Sequence, residues 1–154
     1  MDFLVIEIND PGVQEALNRL GAAVEDLSPA LDAIGMEMEN RVAARFETKT
    51  DPNGIPWAPW KPSTVKSYPK DGNHQLLNRY GDMLASLNHQ LEASTQSVLW
   101  GFGQPYATFH ETGTGKMERR GMLTADPEAG TLGAGDQEAA LEILNGFLRS
   151  AIEG

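Results

Sequence analysis

The sequence predicts an α+β protein in which long amphipathic helices pack on a small antiparallel sheet. Apolar residues recur at helical spacing in both terminal regions, and two short alternating segments lie in the second half. Two long segments rich in proline or glycine separate these elements. With 154 residues the chain fits one domain, 1–154, with loop insertions at about 50–75 and 112–135.

The N-terminal region is predicted to form one strand and two helices. Residues 3–8 are apolar and β-branched enough for a strand. Asp10 is expected to cap the first helix, and Ser28, which precedes a proline, to cap a second helix that ends near residue 49. Most charged residues of the second helix, including Arg45, are expected off its apolar stripe. The two predicted stripes are Val13, Leu17, Leu20, Val24 and Leu27, and then Leu31, Ile34, Met38, Val42 and Phe46.

The second half is predicted to hold a short helix over about 76–87, followed by a hairpin of two strands, 87–93 and 97–102. A short aromatic helix is expected over 105–112. Asp136 is expected to cap the last helix. The residues predicted to face inward on that helix are Ala140, Ile143, Leu144, Phe147 and Ala151.

Composition excludes several classes of protein. The chain has no cysteine, which excludes disulfides, thiolate zinc sites and cysteine nucleophiles. No apolar run approaches the ~18 residues of a membrane span, and the N-terminus lacks the pattern of a signal peptide. The formal net charge of −10 argues against broad binding to nucleic-acid phosphates.

The charge is also unevenly distributed along the chain. Residues 1–40 carry nine acidic and one basic side chain, whereas residues 41–79 carry seven basic and three acidic ones. This asymmetry suggests head-to-tail contact between copies of the chain. Solvated helix faces beside a mildly basic loop explain it equally well.

The most informative segment is 52–64, which holds four prolines, one glycine and two tryptophans. No regular helix or central strand tolerates that density of proline, so we predict an irregular, extended loop. Trp57, Trp60 and Tyr68 either cover the core of the domain or anchor another subunit. Both interpretations hold if one tryptophan points inward and the other outward.

The sequence contains no pattern of catalytic or metal-binding residues. His110 and Glu111 are adjacent, but a zincin helix needs a second histidine four residues later, where this chain has Thr114. Gly115 and Lys116 lack the serine or threonine that completes a phosphate-binding loop. We therefore predict no enzymatic activity, no metal and no cofactor.

Several segments occur together, and in this order, in one known family. They are a long helix ending in Arg45-Phe46, the segment Pro52-Asn53-Gly54-Ile55-Pro56-Trp57-Ala58-Pro59-Trp60, Thr64 with Lys66, the helix from Leu76 to Leu87, Gly101-Phe102-Gly103, Pro105-Tyr106-Ala107-Thr108-Phe109-His110-Glu111-Thr112-Gly113, and Arg119-Arg120. Over roughly residues 30–150 the chain resembles the phage virion morphogenesis family of tailed phages. It is similar, more distantly, to a phage tail-component family.

The resemblance implies a structural virion protein, made in the host cytoplasm, that forms a ring in the neck and joins the tail to the head. The implied partners are other copies of the chain, as a hexamer or alternatively a dodecamer. Head-side connector or portal proteins and tail-terminator or tail-tube proteins are the other expected partners, with no membrane. The alternatives are a module that contacts DNA in the head–tail channel through residues 41–79, and a small hydrolase without a visible site.

Arg119 and Arg120 are the last candidates for a subunit interface. With Lys116 they form the basic cluster of the glycine-rich segment 112–135. Such a segment loses much entropy on ordering, so we expect either that its disorder is harmless or that binding orders it. We favour contact with the acidic N-terminal helices of a neighbouring copy over contact with DNA.

Overall fold

The computed structural model confirms the α+β class. It describes residues 10–59, 61–62, 82–92, 97–104 and 106–153. These residues form five helices and a two-stranded antiparallel sheet, and none of the helices is long and apolar enough to cross a membrane. The predicted strand at 3–8 and the first part of the predicted helix 76–87 lie outside the described residues.

Helix α1 spans Pro11–Ala23 and begins where the sequence predicts. The side chain of Asp10 accepts a hydrogen bond of 3.1 Å from the backbone N–H of Val13. This bond satisfies one of the amide groups that the start of a helix leaves without a partner. Pro11 lies in the first turn, where its missing N–H leaves no hydrogen bond unmade.

Helix α2 spans Ser28–Thr48 and ends, as predicted, at Lys49. Lys49 adopts a left-handed conformation with φ 57°, and its N–H donates a 2.7 Å bond to the carbonyl oxygen of Arg45. The predicted cap at the start of the helix is wrong. Ser28 lies inside the helix, and its own N–H donates a 2.9 Å bond to Oδ1 of Asp26, so Asp26 supplies the acceptor at this end.

The remaining elements follow closely on one another. Helix α3 spans Asp82–Ala85, strands β1 and β2 span Leu87–Glu92 and Ser97–Phe102, and helices α4 and α5 span Ala107–Thr112 and Ala134–Glu153. The two strands pair antiparallel along their whole lengths, which confirms the predicted hairpin. Helix α2 packs against both strands and against α5, and α1 packs against α5.

Two hydrophobic clusters lie along α2. The first contacts α1 and α5, and its buried members are Ala16, Leu20, Leu27, Ala30, Leu31, Ile34, Met38, Ala140 and Leu144. The second lies at the C-terminal part of α2, and its buried members are Val42, Phe46, Trp57, Met83, Phe102, Ala107, Met122 and Leu123. Because α2 has 21 residues, its two ends are about 30 Å apart.

A buried ion pair joins α2 to α5. Nη2 of Arg45 lies 2.5 Å from each carboxylate oxygen of Asp136, and Nη1 donates a 2.6 Å bond to the carbonyl oxygen of Met122. The prediction that Arg45 lies off the buried stripe is wrong, and so is the prediction that Asp136 caps the last helix. The two charges neutralise each other, which allows both side chains to be buried. Helix α5 begins two residues before Asp136.

A second polar contact joins β1 to α2. Nε2 of His89 lies 2.8 Å from Oδ1 of Asp32, and Nδ1 contacts Oε2 of Glu39. Gly35 lies between the two acids on α2, and a Cβ there would come within 2.4 Å of the imidazole ring. Glycine therefore allows the ring to lie against the helix. The hydrogen bond with Asp32 raises the pKa of His89 above its ordinary value of 6.5, although burial opposes this effect.

Candidate functional site

Trp57 lies where the proline-rich loop meets the glycine-rich segment. Its ring packs edge-on against Phe46, with centroids 5.5 Å apart and planes at 84°. Nε1 donates a 2.9 Å hydrogen bond to the carbonyl oxygen of Gly121, and the side chain is only 6% exposed. A buried indole N–H needs an acceptor, so this bond fixes Gly121 against the loop. Trp57 is therefore a core residue of its own chain.

The first part of the proline-rich loop is a folded turn rather than the extended segment that was predicted. Oδ1 of Asp51 accepts hydrogen bonds from the N–H groups of Asn53 (2.8 Å) and Ile55 (2.9 Å). The N–H of Trp57 donates a 2.8 Å bond to the carbonyl oxygen of Lys49. An aspartate that bonds the backbone ahead of it is a common means of closing a turn. This turn returns the chain to the end of α2 and places Trp57 over the core.

Two cationic side chains join the next part of the loop to the glycine-rich segment. Nε and Nη2 of Arg120 donate bonds of 2.8 and 2.9 Å to the carbonyl oxygens of Ala58 and Pro59. Nζ of Lys61 donates a 2.6 Å bond to the carbonyl oxygen of Lys116. The two segments that the sequence predicts as separate loops are thus bonded to each other. We call the described residues of 50–62, together with 113–124, the loop unit.

The carboxylate of Glu111, on α4, lies at the centre of the loop unit and is fully buried. Oε1 accepts hydrogen bonds from the N–H groups of Met122 (2.7 Å) and Leu123 (2.8 Å). Oε2 accepts bonds from the N–H (3.2 Å) and the hydroxyl (2.6 Å) of Thr124. Successive N–H groups that converge in this way suit an anion. One side chain thereby orders a segment whose ordering is otherwise unfavourable.

Arg119 supplies the opposite charge to Glu111. Nη2 lies 3.0 Å from Oε2 of Glu111 and donates a 2.7 Å bond to the carbonyl oxygen of Thr124, while Nε bonds the carbonyl oxygen of Glu111 at 2.6 Å. Two glycines make room for this arginine. Gly113 adopts φ 76°, and a Cβ on Gly121 would come within 2.8 Å of the guanidinium group. The loop unit is therefore built around a satisfied ion pair.

His110 is adjacent to Glu111 in sequence but does not share its hydrogen bonds. Its Nδ1 is buried and has no hydrogen-bond partner among the described residues. Burial, together with the smaller effect of the nearby positive charge of Arg120, lowers the pKa of His110 to about 4, so the imidazole is neutral near pH 7. Within the described part of the chain, no group of three or more His, Asp and Glu side chains is arranged to hold a metal ion. The absence of a metal stays a prediction.

Residues 8–150, nearly the whole chain, match the phage virion morphogenesis family. The chain belongs to this family. No curated protein and no solved structure gives a significant match. Membership confirms the family that the order of sequence motifs indicated, and it makes the chain a protein of phage virion assembly. The expectation of a non-enzymatic role agrees with such a family.

The loop unit of this virion morphogenesis protein contains three of the five predicted interface residues. Trp57, Arg119 and Arg120 all form hydrogen bonds within their own chain. Trp60 and Tyr68 lie outside the described residues. All the bonds described are within one chain, so a role for the five residues at a subunit interface stays a prediction.

The role of Glu111 was not predicted from the sequence. Its position beside His110 suggested only half of a metal-binding or acid–base pair. A signal was available, because Glu111 lies in the last turn of a short predicted helix and precedes a glycine-rich segment whose backbone N–H groups need acceptors. The position of that segment around the carboxylate follows only from the tertiary structure.

Proposed function

We propose that this chain is a structural virion protein that forms a ring in the neck of a tailed phage, completing the tail and joining it to the head. The match of residues 8–150 to the phage virion morphogenesis family carries the proposal. The ring is a hexamer in this proposal, with a dodecamer as the alternative. Its neighbours are head-side connector or portal proteins on one side and tail-terminator or tail-tube proteins on the other.

The geometry of the loop unit supports a role in assembly. Glu111 accepts four hydrogen bonds from residues 122–124, and Trp57 and Arg120 bond the proline-rich loop to the same segment. A surface that is already ordered loses less conformational entropy when it binds a neighbour. The internal bonds thus prepare a defined surface for docking, and no chemical step is required of it.

The charge of the chain also fits a ring through which DNA passes. A net charge of −10 per copy makes most of the channel wall acidic, which reduces adhesion of the phosphate backbone. A ring needs two different, complementary faces on each copy. In this proposal the acidic turn before α2 provides one face, and the loop unit, which packs on Phe46 near the other end of α2, provides the second.

The test is a phage that lacks a working copy of this gene. We expect it to produce filled heads and separate tails, which purified protein should join into infectious particles. A reconstruction of the complete particle should then show the protein in the neck with sixfold or twelvefold symmetry. Complete particles formed without the protein, or a single copy in each particle, would overturn the proposal. Denatured protein is the negative control for the joining reaction.

A further inference from the structure

An open groove lies beside the loop unit. Its volume is about 560 Å³, and residues 112–119 line it together with Lys61. The groove is lined by three cationic side chains, those of Lys61, Lys116 and Arg119. It also contains one carboxylate, that of Glu118. The ion pair of Arg119 with Glu111 neutralises one of these cations. The two lysines outnumber the remaining carboxylate, Glu118, so the groove offers a net positive charge to a ligand.

The two arginines predicted to contact a neighbour are already bonded within their own chain. Arg119 bonds Glu111 and Thr124, and Arg120 bonds the backbone of the proline-rich loop. By contrast, both lysines are exposed, and Lys61 uses one ammonium donor for the carbonyl oxygen of Lys116. The ammonium group of Lys116 has no hydrogen bond or ion pair among the described residues.

The opposite charge lies at the far end of α2. Glu25 and Asp26 are exposed in the turn between α1 and α2. The hydrogen bond from the N–H of Ser28 lowers the pKa of Asp26, so its carboxylate is charged at neutral pH. The groove lies near the other end of α2, where the loop unit packs on Phe46. Because the two ends are about 30 Å apart, the turn cannot reach the groove of its own chain.

We infer that the groove with Lys61 and Lys116 binds the Glu25–Asp26 turn of a second copy of this chain. This inference rests on the proposed ring, and it names the two surfaces that meet in it. The contact is head-to-tail, so each copy uses its groove toward one neighbour and its turn toward the other, and repetition can close a ring. Exposed ion pairs add little affinity but strongly affect the rate and register of association.

A charge exchange tests the pairing. The first double variant carries Lys61→Glu and Lys116→Glu, which make the groove acidic. The second carries Glu25→Lys and Asp26→Asn, which make the turn basic, and its asparagine oxygen can still accept the N–H of Ser28 at the start of α2. Each double variant alone should weaken self-association about tenfold at low salt, as measured by sedimentation velocity. An equimolar mixture of the two, or one chain with all four changes, should restore it, because opposite charges then meet at every contact. If the wild type associates only in particles, infectivity in the joining reaction replaces sedimentation as the measurement.

Arg149→Glu is the matched control for Lys116→Glu, because it makes the same change of charge on an exposed residue outside the groove. It should leave association unchanged, and thermal unfolding should show that all the variants are folded. Normal association of the lysine double variant, or no restoration in the mixture, overturns the inference while the ring stands. A wild-type protein that is monomeric even in the particle overturns the proposed function instead. If the lysine double variant associates normally but loses salt-dependent binding to DNA, the groove is assigned to DNA and the inference is overturned.

Discussion

The substitution Glu111→Gln tests whether one buried carboxylate orders the loop unit. Glutamine has nearly the same shape, and its oxygen can still accept the N–H groups of Met122 and Leu123. Its amide nitrogen then replaces Oε2 and faces the N–H and hydroxyl of Thr124 as well as the guanidinium group of Arg119. Donors would face donors, and Arg119 would lose its counter-charge in a partly buried site.

The expected magnitude follows from these contacts. Hydrogen bonds to charged groups contribute about 1.5–3 kcal/mol each, and breaking a buried ion pair costs about 3–5 kcal/mol. The hydroxyl of Thr124 can rotate to donate elsewhere, so we expect Glu111→Gln to lower the free energy of unfolding by about 3 kcal/mol. For a chain of this length, that loss lowers the midpoint of thermal unfolding by about 6–12 °C. Glu111→Ala, which leaves every donor without its acceptor, should cost more.

Urea unfolding followed by tryptophan fluorescence measures the effect, since Trp57 is buried against the loop unit. Glu118→Gln is the control, because Glu118 is exposed and the same change of charge there should shift stability by less than about 0.5 kcal/mol. In a double-mutant cycle, Arg119→Met should cost much less in the Glu111→Gln background than in the wild type. Equal unfolding midpoints for the Glu111→Gln variant and the wild type would refute the reasoning.

Three further predictions concern contacts that join distant parts of the chain. Trp57→Phe should cost about 1–2 kcal/mol by removing the buried indole hydrogen bond, and unchanged urea unfolding would contradict this. Asp136→Asn should cost about 3 kcal/mol by leaving Arg45 without its counter-charge, whereas Asp136→Leu with Arg45→Met should cost less, as calorimetry can show. Because folding raises the pKa of His89, its protonated form adds to the free energy of unfolding. This stabilisation is complete below pH 6.5 and is lost as pH rises through the folded-state pKa. When the free energy of unfolding is measured against pH, this decline should be absent from the His89→Gln variant. A decline identical to that of the wild type would disprove its assignment to His89.

The sequence by itself determined the local elements and the family. Asp10 with Pro11 specified the start of α1, because a cap and a proline act within one turn of the chain. The two alternating segments specified the hairpin β1–β2, since its period of two residues is also local. The order of motifs indicated the phage virion morphogenesis family, which matches residues 8–150. Each of these results depends on neighbours in the chain or on the order of segments.

Only the tertiary structure decided which charged residues are buried and what they bond. Arg45 and Asp136 are 91 positions apart in the chain, and from the sequence both are expected at the surface because they are charged. The packing of α5 on α2 brings them together. The bond between Trp57 and Gly121 spans 64 positions, so two apparently separate loops become one unit. Glu111 lies close to residues 122–124 in sequence, yet its role depends on how the chain turns around it. Burial requires every such charge to find a partner, and the folded chain alone determines which partner is within reach.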